Sequence, residues 1–481
     1  MHLRAGLLAF SMGLFASALD ITPRCSIDNI NFPFIPGTKL LAKTAELVEN
    51  VNFTAKPPHT WLTNNVTLNV CNVTVNYGHD SWHDNVTVTV WLPLRDWNYR
   101  LIGVGGGGFA SLAGYGGLGA AVARGYAAAL DGSGRVNFFL LQKNFAISQH
   151  EAAIIVKRVI HDIYQKDSEY SYWNGCSTGG RQGLMLAQRY PGTYDGILAG
   201  APAINWATFV PVMFYPQFVM NQLKHYPKMC VFSAIVDAAV EACDELDGVK
   251  DGILSLPKEC DYDPSQMVGK RVKCEDEKVT VSEKDAQVLK RVWDGPKHRD
   301  GTPIWYGMNR GASFSDLANS TCDGDRCKGV PFRIASSWIQ NFVFQNRTAD
   351  LTTLQEDGFR TVSNLSISAY KPVTSTDNPD LRDFRKSGGK LIHWHGMQDQ
   401  QIFIQGSENY YYQAQVRDKH IRDFYCYFEA PGVAHCGGDR LLPNNPLVDL
   451  VDWVEHGVVP DYLPAITGDV SYTYIKKVKE G

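Results

Sequence analysis

Trp173-Asn-Gly-Cys-Ser-Thr-Gly-Gly-Arg-Gln-Gly183 sets a serine, Ser177, in a turn lined by glycines, with a cysteine directly before it. Gly175-Cys-Ser-Thr-Gly179 fits G-x-S-x-G. Tyr170 to Asn174 reads as a short strand, and Arg181 to Tyr190 as a helix. Between a strand and a helix, this pattern puts the serine on a sharp turn, where small neighbours permit a strained backbone. The pentapeptide alone is weak, because a tight glycine turn with a solvent-facing serine matches it too. The flanking elements make Ser177 a candidate nucleophile.

Outward from that turn, strands and helices alternate. Asn85 to Trp91 alternates strictly and reads as a strand, and Arg100 to Val104 as a buried one that opens into Gly105 to Gly108. Glu151 to Lys166 carries Ala, Ile and Val at helical spacing, and Asp195 to Ala199 is another short strand. The order implies a parallel sheet covered on both faces. From Asn205 to about Ser387 the pattern gives way to an aromatic, cysteine-rich stretch punctuated by Gly and Pro. It resumes with strands at Gly389–Trp394 and Phe424–Phe428. The expected organisation is an α/β domain over 19–204 and 388–481, interrupted by a long excursion over 205–387. The 481-residue length accommodates both.

A serine nucleophile needs a general base, and the base needs an orienting carboxylate. In α/β-hydrolases the chain order is Ser, then Asp or Glu, then His, each after a strand. Asp399 follows the strand ending at Trp394, and His435 follows the strand ending at Phe428. His393, His395 and His420 are rivals for the base. Cysteine placement favours His435: Cys176 precedes Ser177 and Cys436 follows His435. If the serine and the imidazole are within hydrogen-bond reach, those neighbours lie within disulfide distance, and a Cys176–Cys436 bridge would fix one loop against the other.

Cys176-Ser-Thr-Gly-Gly-Arg181, His395-Gly-Met-Gln-Asp399 and Pro431-Gly-Val-Ala-His-Cys436 resemble the tannase/feruloyl esterase family of secreted fungal enzymes. The resemblance continues through Gly196–Ala203, Cys243–Ile253, Ile304–Gly307 and Asp380–Phe384. It implies an α/β-hydrolase fold with a lid, a Ser177–His435–Asp399 triad, and hydrolysis of esters of phenolic acids, hydroxycinnamates or gallates. The partner would be a small aromatic ester, free or attached to plant polysaccharide, or a small secondary metabolite.

Asp244-Glu-Leu-Asp247-Gly-Val-Lys-Asp251-Gly reads on its own as an acidic turn, and it lacks EF-hand spacing. The resemblance implies instead a structural Ca²⁺ site, with Asp244, Asp247 and Asp251 as side-chain ligands and Val249 and Ile253 as carbonyl ligands. It would hold a lid that lacks a large core of its own. Beside the resemblance, Cys243–Cys260 would close this loop, Cys25–Cys71 would tie down the first strands, and Cys322–Cys327 would close a short loop. Cys230–Cys274 is the remaining pair, with Cys426 free; the partner expected shortly after Cys274 is missing at Lys278–Val281.

For the oxyanion, one N–H is expected from Thr178, and a second from the glycine run at Gly107. The lid aromatics Trp206, Phe209, Phe214, Tyr215, Trp305, Tyr306 and Trp338 would wall an acyl pocket or serve as ordinary core.

Met1 to Ala18 has the layout of a secretory signal peptide, ending in Ala16-Ser-Ala18. Sequons at Asn52, Asn65, Asn72, Asn85, Asn319, Asn346 and Asn364, with eleven cysteines, agree with an extracellular protein. A net charge of -4 offers nothing for nucleic acid, and no segment is long and apolar enough for a bilayer. Two rivals remain: a peptidase sharing the triad order, and a non-catalytic Ca²⁺-dependent binding protein. The first gives no reason for cysteines beside Ser177 and His435, and an intact triad argues against the second.

Overall fold

The computed structural model describes residues 20–53, 66–80, 83–110, 115–132, 147–324, 326–438, 441–467, 470–476 and 478. The leader expected at 1–18 and the sequon at Asn65 lie outside them. A nine-stranded sheet organises the chain. Its strands are β1 (Thr38–Phe53), β2 (Val66–His79), β3 (Val86–Pro93), β4 (Arg100–Val104), β5 (Ala127–Asp131), β6 (Tyr170–Cys176), β7 (Gly196–Gly200), β8 (Lys390–Gly396) and β9 (Tyr425–Ala430). Their spatial order is β1-β2-β3-β5-β4-β6-β7-β8-β9.

The expectation of a parallel sheet holds from β5 to β9 and fails before it. β1, β2, β3 and β5 pair antiparallel, whereas β4, β5, β6, β7, β8 and β9 pair parallel. The physical reason is connection length. β2 and β3 are joined by a few residues, too few for a parallel crossover, whereas β4 and β6 enclose helical crossovers.

Helices cover both faces. The helix Ile147–Tyr164 buries Ala152, Ile155, Val156, Val159, Ile160 and Ile163, spaced three and four apart, against one face. Leu118 and Val122 of helix Gly116–Val122, with Leu447, Leu450 and Trp453 of helix Pro446–His456, belong to the core on the other face. No helix among the described residues is long and apolar enough to cross a membrane.

Between β7 and β8 the chain leaves the sheet. This insertion corrects a second expectation, because it has a large core of its own. Trp206, Phe214, Phe218, Phe232, Trp293, Phe314, Trp338, Phe342 and Phe359 share one buried cluster. The aromatics read as pocket walls or core are mostly core: Trp206, Phe209, Phe214, Tyr215 and Trp338 are buried, and only Trp305 and Tyr306 are half-buried. Ile402 and Phe403, just after Asp399, join that cluster, so the insertion is seated directly on a site loop.

Disulfides link Cys25–Cys71, Cys176–Cys436, Cys230–Cys274, Cys243–Cys260 and Cys322–Cys327, and Cys426 is buried. Of the described sequon asparagines, Asn52, Asn85, Asn346 and Asn364 are exposed. Asn72 and Asn319 are half-buried, and the Asn72 amide donates to Glu46.

Candidate active site

The parallel strands end together at one edge, and three of their loops converge there. Ser177 stands between β6 and the helix Thr178–Arg189 with φ 63° and ψ −122°, a left-handed conformation that is costly for a residue with a side chain. Glycine makes this turn possible. A Cβ on Gly175 would come within 2.5 Å of the Gly179 backbone, and one on Gly180 within 2.3 Å of the Gly200 carbonyl. Ser177 N–H donates to Gly200 C=O at 3.0 Å, which anchors the turn to β7.

Asp399 lies in the loop after β8 and His435 in the loop after β9. His435 Nε2 is 3.0 Å from Ser177 Oγ, and His435 Nδ1 is 2.8 Å from Asp399 Oδ2. Asp399 is buried, and its other oxygen accepts the N–H groups of Gln401 and Ile402, each at 2.8 Å. Burial pushes its carboxyl up, but the His435 charge and the hydrogen bonds from His395 and His435 outweigh this and hold it well below the usual carboxylate range. It is therefore an anion suited to holding one tautomer of His435 and to stabilising the imidazolium. The Cys176 and Cys436 Cα atoms are 5.9 Å apart across their disulfide, which clamps the serine turn to the His435 loop.

His395, a rival for the base, has a different position. It is fully buried, its Nε2 lies 3.1 Å from Asp399 Oδ2 and 2.9 Å from Ile402 C=O, and its Nδ1 is 2.7 Å from Ser407 Oγ. With Nδ1 accepting from the hydroxyl, Nε2–H is shared between the Asp399 carboxylate and the Ile402 carbonyl. No sequence signal separated this role from that of a base; only the strand-end position of His395, four residues before Asp399, hinted at contact.

Thr178 opens the helix after Ser177, where an N–H has no intrahelical acceptor. Its hydroxyl donates to Gly108 C=O at 2.6 Å, tying the glycine loop to the serine turn. Gly107 corrects the sequence expectation. Its N–H donates to Ala110 C=O at 3.1 Å, in a bridge closed by Ala110 N–H to Gly107 C=O at 2.9 Å. That local bridge consumes the group an oxyanion would need.

The acidic loop supplies oxygen donors of the kind a hard cation takes, and Cys243–Cys260 closes it. Asp244 accepts the N–H groups of Asp251, Gly252 and Ile253; Asp247 accepts that of Val249, and Asp251 that of Ile253. Among the described residues no three His, Cys, Asp or Glu side chains converge as a ligand group. The donors fit calcium in kind, while their carboxylates face backbone amides.

A family model described as tannase and feruloyl esterase matches residues 71–479. A probable feruloyl esterase of Arthroderma benhamiae is 38% identical, over 96% of this chain and 90% of its own. A tannase of Aspergillus oryzae is 28% identical, over 98% of this chain and 92% of its own. Among solved structures, a tannin acyl hydrolase from Aspergillus niger superposes with a TM-score of 0.82 at 27% identity, covering 92% of this chain and 89% of that one.

Proposed function

Because the chain belongs to the tannase and feruloyl esterase family, and is thus a carboxylic ester hydrolase acting on small esters, we propose that it releases phenolic acids, hydroxycinnamates such as ferulate first, through Ser177, His435 and Asp399. The observation that carries this reading is the unbroken hydrogen-bonded row from Ser177 Oγ through His435 to Asp399. The hydroxycinnamate preference leans on the higher identity to the relative named a probable feruloyl esterase than to the tannase.

In the proposed mechanism, Ser177 Oγ attacks the ester carbonyl carbon while His435 Nε2 takes the hydroxyl proton. The tetrahedral intermediate collapses as its carbon–oxygen bond to the alcohol breaks, and His435 returns the proton to the departing oxygen. Water then repeats the attack on the acyl-serine, with His435 again taking and returning a proton, and the acid leaves. Asp399 remains ionised and stabilises the imidazolium. The Thr178 N–H is one oxyanion donor; losing such a donor typically costs about a hundredfold in rate.

The wider setting is part of the same proposal. The leader at 1–18, the disulfides and the exposed sequon asparagines support secretion and glycosylation, with substrates carried on plant polysaccharide. The insertion acts as a lid over 205–387. Asp244, Asp247 and Asp251, with the carbonyls of Val249 and Ile253, would hold a structural Ca²⁺ that neutralises the acidic loop.

The test is a substrate panel of methyl ferulate, methyl gallate and a blocked peptide, run with wild type and Ser177→Ala. Ferulate turnover that disappears in Ser177→Ala supports the reading. Faster turnover of gallate shifts the acid, and peptide cleavage without ester cleavage refutes it.

A further inference from the structure

Two glutamines flank Asp399, and the mechanism above uses neither. Gln398 is buried; its Oε1 accepts the Gly432 N–H at 2.5 Å, and its Nε2 donates to the Leu254 C=O at 2.7 Å. Gln400 repeats the arrangement. Its Oε1 accepts the His435 N–H at 3.0 Å, and its Nε2 donates to Asp316 Oδ2 at 2.8 Å. Gly432 and His435 lie on the loop that carries the imidazole, whereas Leu254 and Asp316 lie in the insertion. Each carboxamide therefore has its oxygen on the base loop and its nitrogen on the insertion. The partners fix both orientations, since flipping either amide would set its NH₂ against an N–H and its oxygen against an acceptor.

We propose that Gln398 and Gln400 are positioning residues that couple the insertion to the His435 loop, so that the imidazole is seated for proton transfer only while the insertion is docked. The proposal rests on His435 being the general base. The residue type follows from the need to accept on one side and donate on the other. Glutamine carries an acceptor and a donor on one planar group, whereas a glutamate offers no donor, a lysine no acceptor, and a leucine neither. Asp316 strengthens the anchor, because its Oδ2 also accepts Gln401 Nε2 at 2.8 Å. With a glutamine lost, the backbone that carries the base loses a fixed point. Proton transfer depends steeply on such geometry, while substrate contacts elsewhere are untouched.

The experiment measures kcat and KM on methyl ferulate, with thermal unfolding as a folding control. It uses the full chain carrying Gln400→Leu, Gln398→Leu, Gln400→Glu, and Gln400→Glu combined with Asp316→Asn. Each leucine variant is expected to lose about tenfold or more in kcat with KM within about twofold of wild type. Gln400→Glu keeps the acceptor for the His435 N–H but faces Asp316 with like charge, and should lose kcat similarly. Adding Asp316→Asn restores a donor opposite the new carboxylate, and once the Gln401 carboxamide, which now donates to the same Asp316 oxygen, turns its own oxygen toward that NH₂, most of the lost kcat should return. This rescue decides the matter even if a leucine variant fails to fold. Unchanged kcat in folded Gln400→Leu, a loss confined to KM, or no recovery in the double variant overturns the proposal. His435→Ala separates the two readings: if it abolishes turnover while the glutamine variants behave as wild type, only the coupling falls. If it turns over normally, the base assignment falls and takes the coupling with it.

Discussion

His395 and His435 share one oxygen: Asp399 Oδ2 receives His435 Nδ1 at 2.8 Å and His395 Nε2 at 3.1 Å. The carboxylate is thus held from two sides, and only one of the two imidazoles faces Ser177. His395→Leu should reduce kcat by roughly tenfold, less than the loss from Asp399→Asn, which should approach roughly ten-thousandfold by analogy with other triads. Steady-state kinetics of the two variants gives the order; a larger loss from His395→Leu would contradict this division of labour.

The Cys176–Cys436 bridge closes a span of 260 residues. Replacing both cysteines by serine removes the constraint on the unfolded chain, worth about 2–4 kcal/mol, and frees the base loop from the serine turn. The double variant should therefore lose both thermal stability and kcat. A variant less stable but fully active would show that the clamp is structural only.

Glu429 supplies a pH dependence. Burial first, then the charge of Glu408, pushes its carboxyl from an ordinary 4.5 up to about 7, against the pull of Lys258. An acid whose folded value is raised favours the fold while protonated. Its contribution is fully present below about 4.5 and is lost as pH rises through about 7. Glu429→Gln should flatten the decline of Tm across that window, measured in one buffer series. An unchanged slope would remove Glu429 from the account.

Calcium has its own readout. If the loop from Asp244 to Ile253 holds the ion, a chelator lowers Tm and added Ca²⁺ restores it, and Asp247→Asn blunts both effects. A Tm indifferent to chelator and to Ca²⁺ would leave the loop as the amide-satisfied turn its hydrogen bonds describe.

The serine turn was legible because a strained backbone leaves its mark in glycine, and Gly175 and Gly180 tolerate no Cβ. Asp399 and His435 were legible because strand-end position is a property of chain order. What remained hidden depends on where separate segments meet. The share of His395 in Asp399 and the hold of Gln400 on the His435 N–H leave no local pattern. Gly107 was misread because a glycine run tells that backbone is accessible, not which N–H is already taken by Ala110. The core of the insertion was underestimated because its apolar residues come from several separate helices that meet in one cluster rather than from one periodic face.

The most direct measurement is labelling with a fluorophosphonate, followed by peptide mapping. The account predicts one modified serine, Ser177, activity lost in step with labelling, and labelling slowed severely in His435→Ala. Label on a different serine, or full ester turnover by protein quantitatively modified at Ser177, would contradict it.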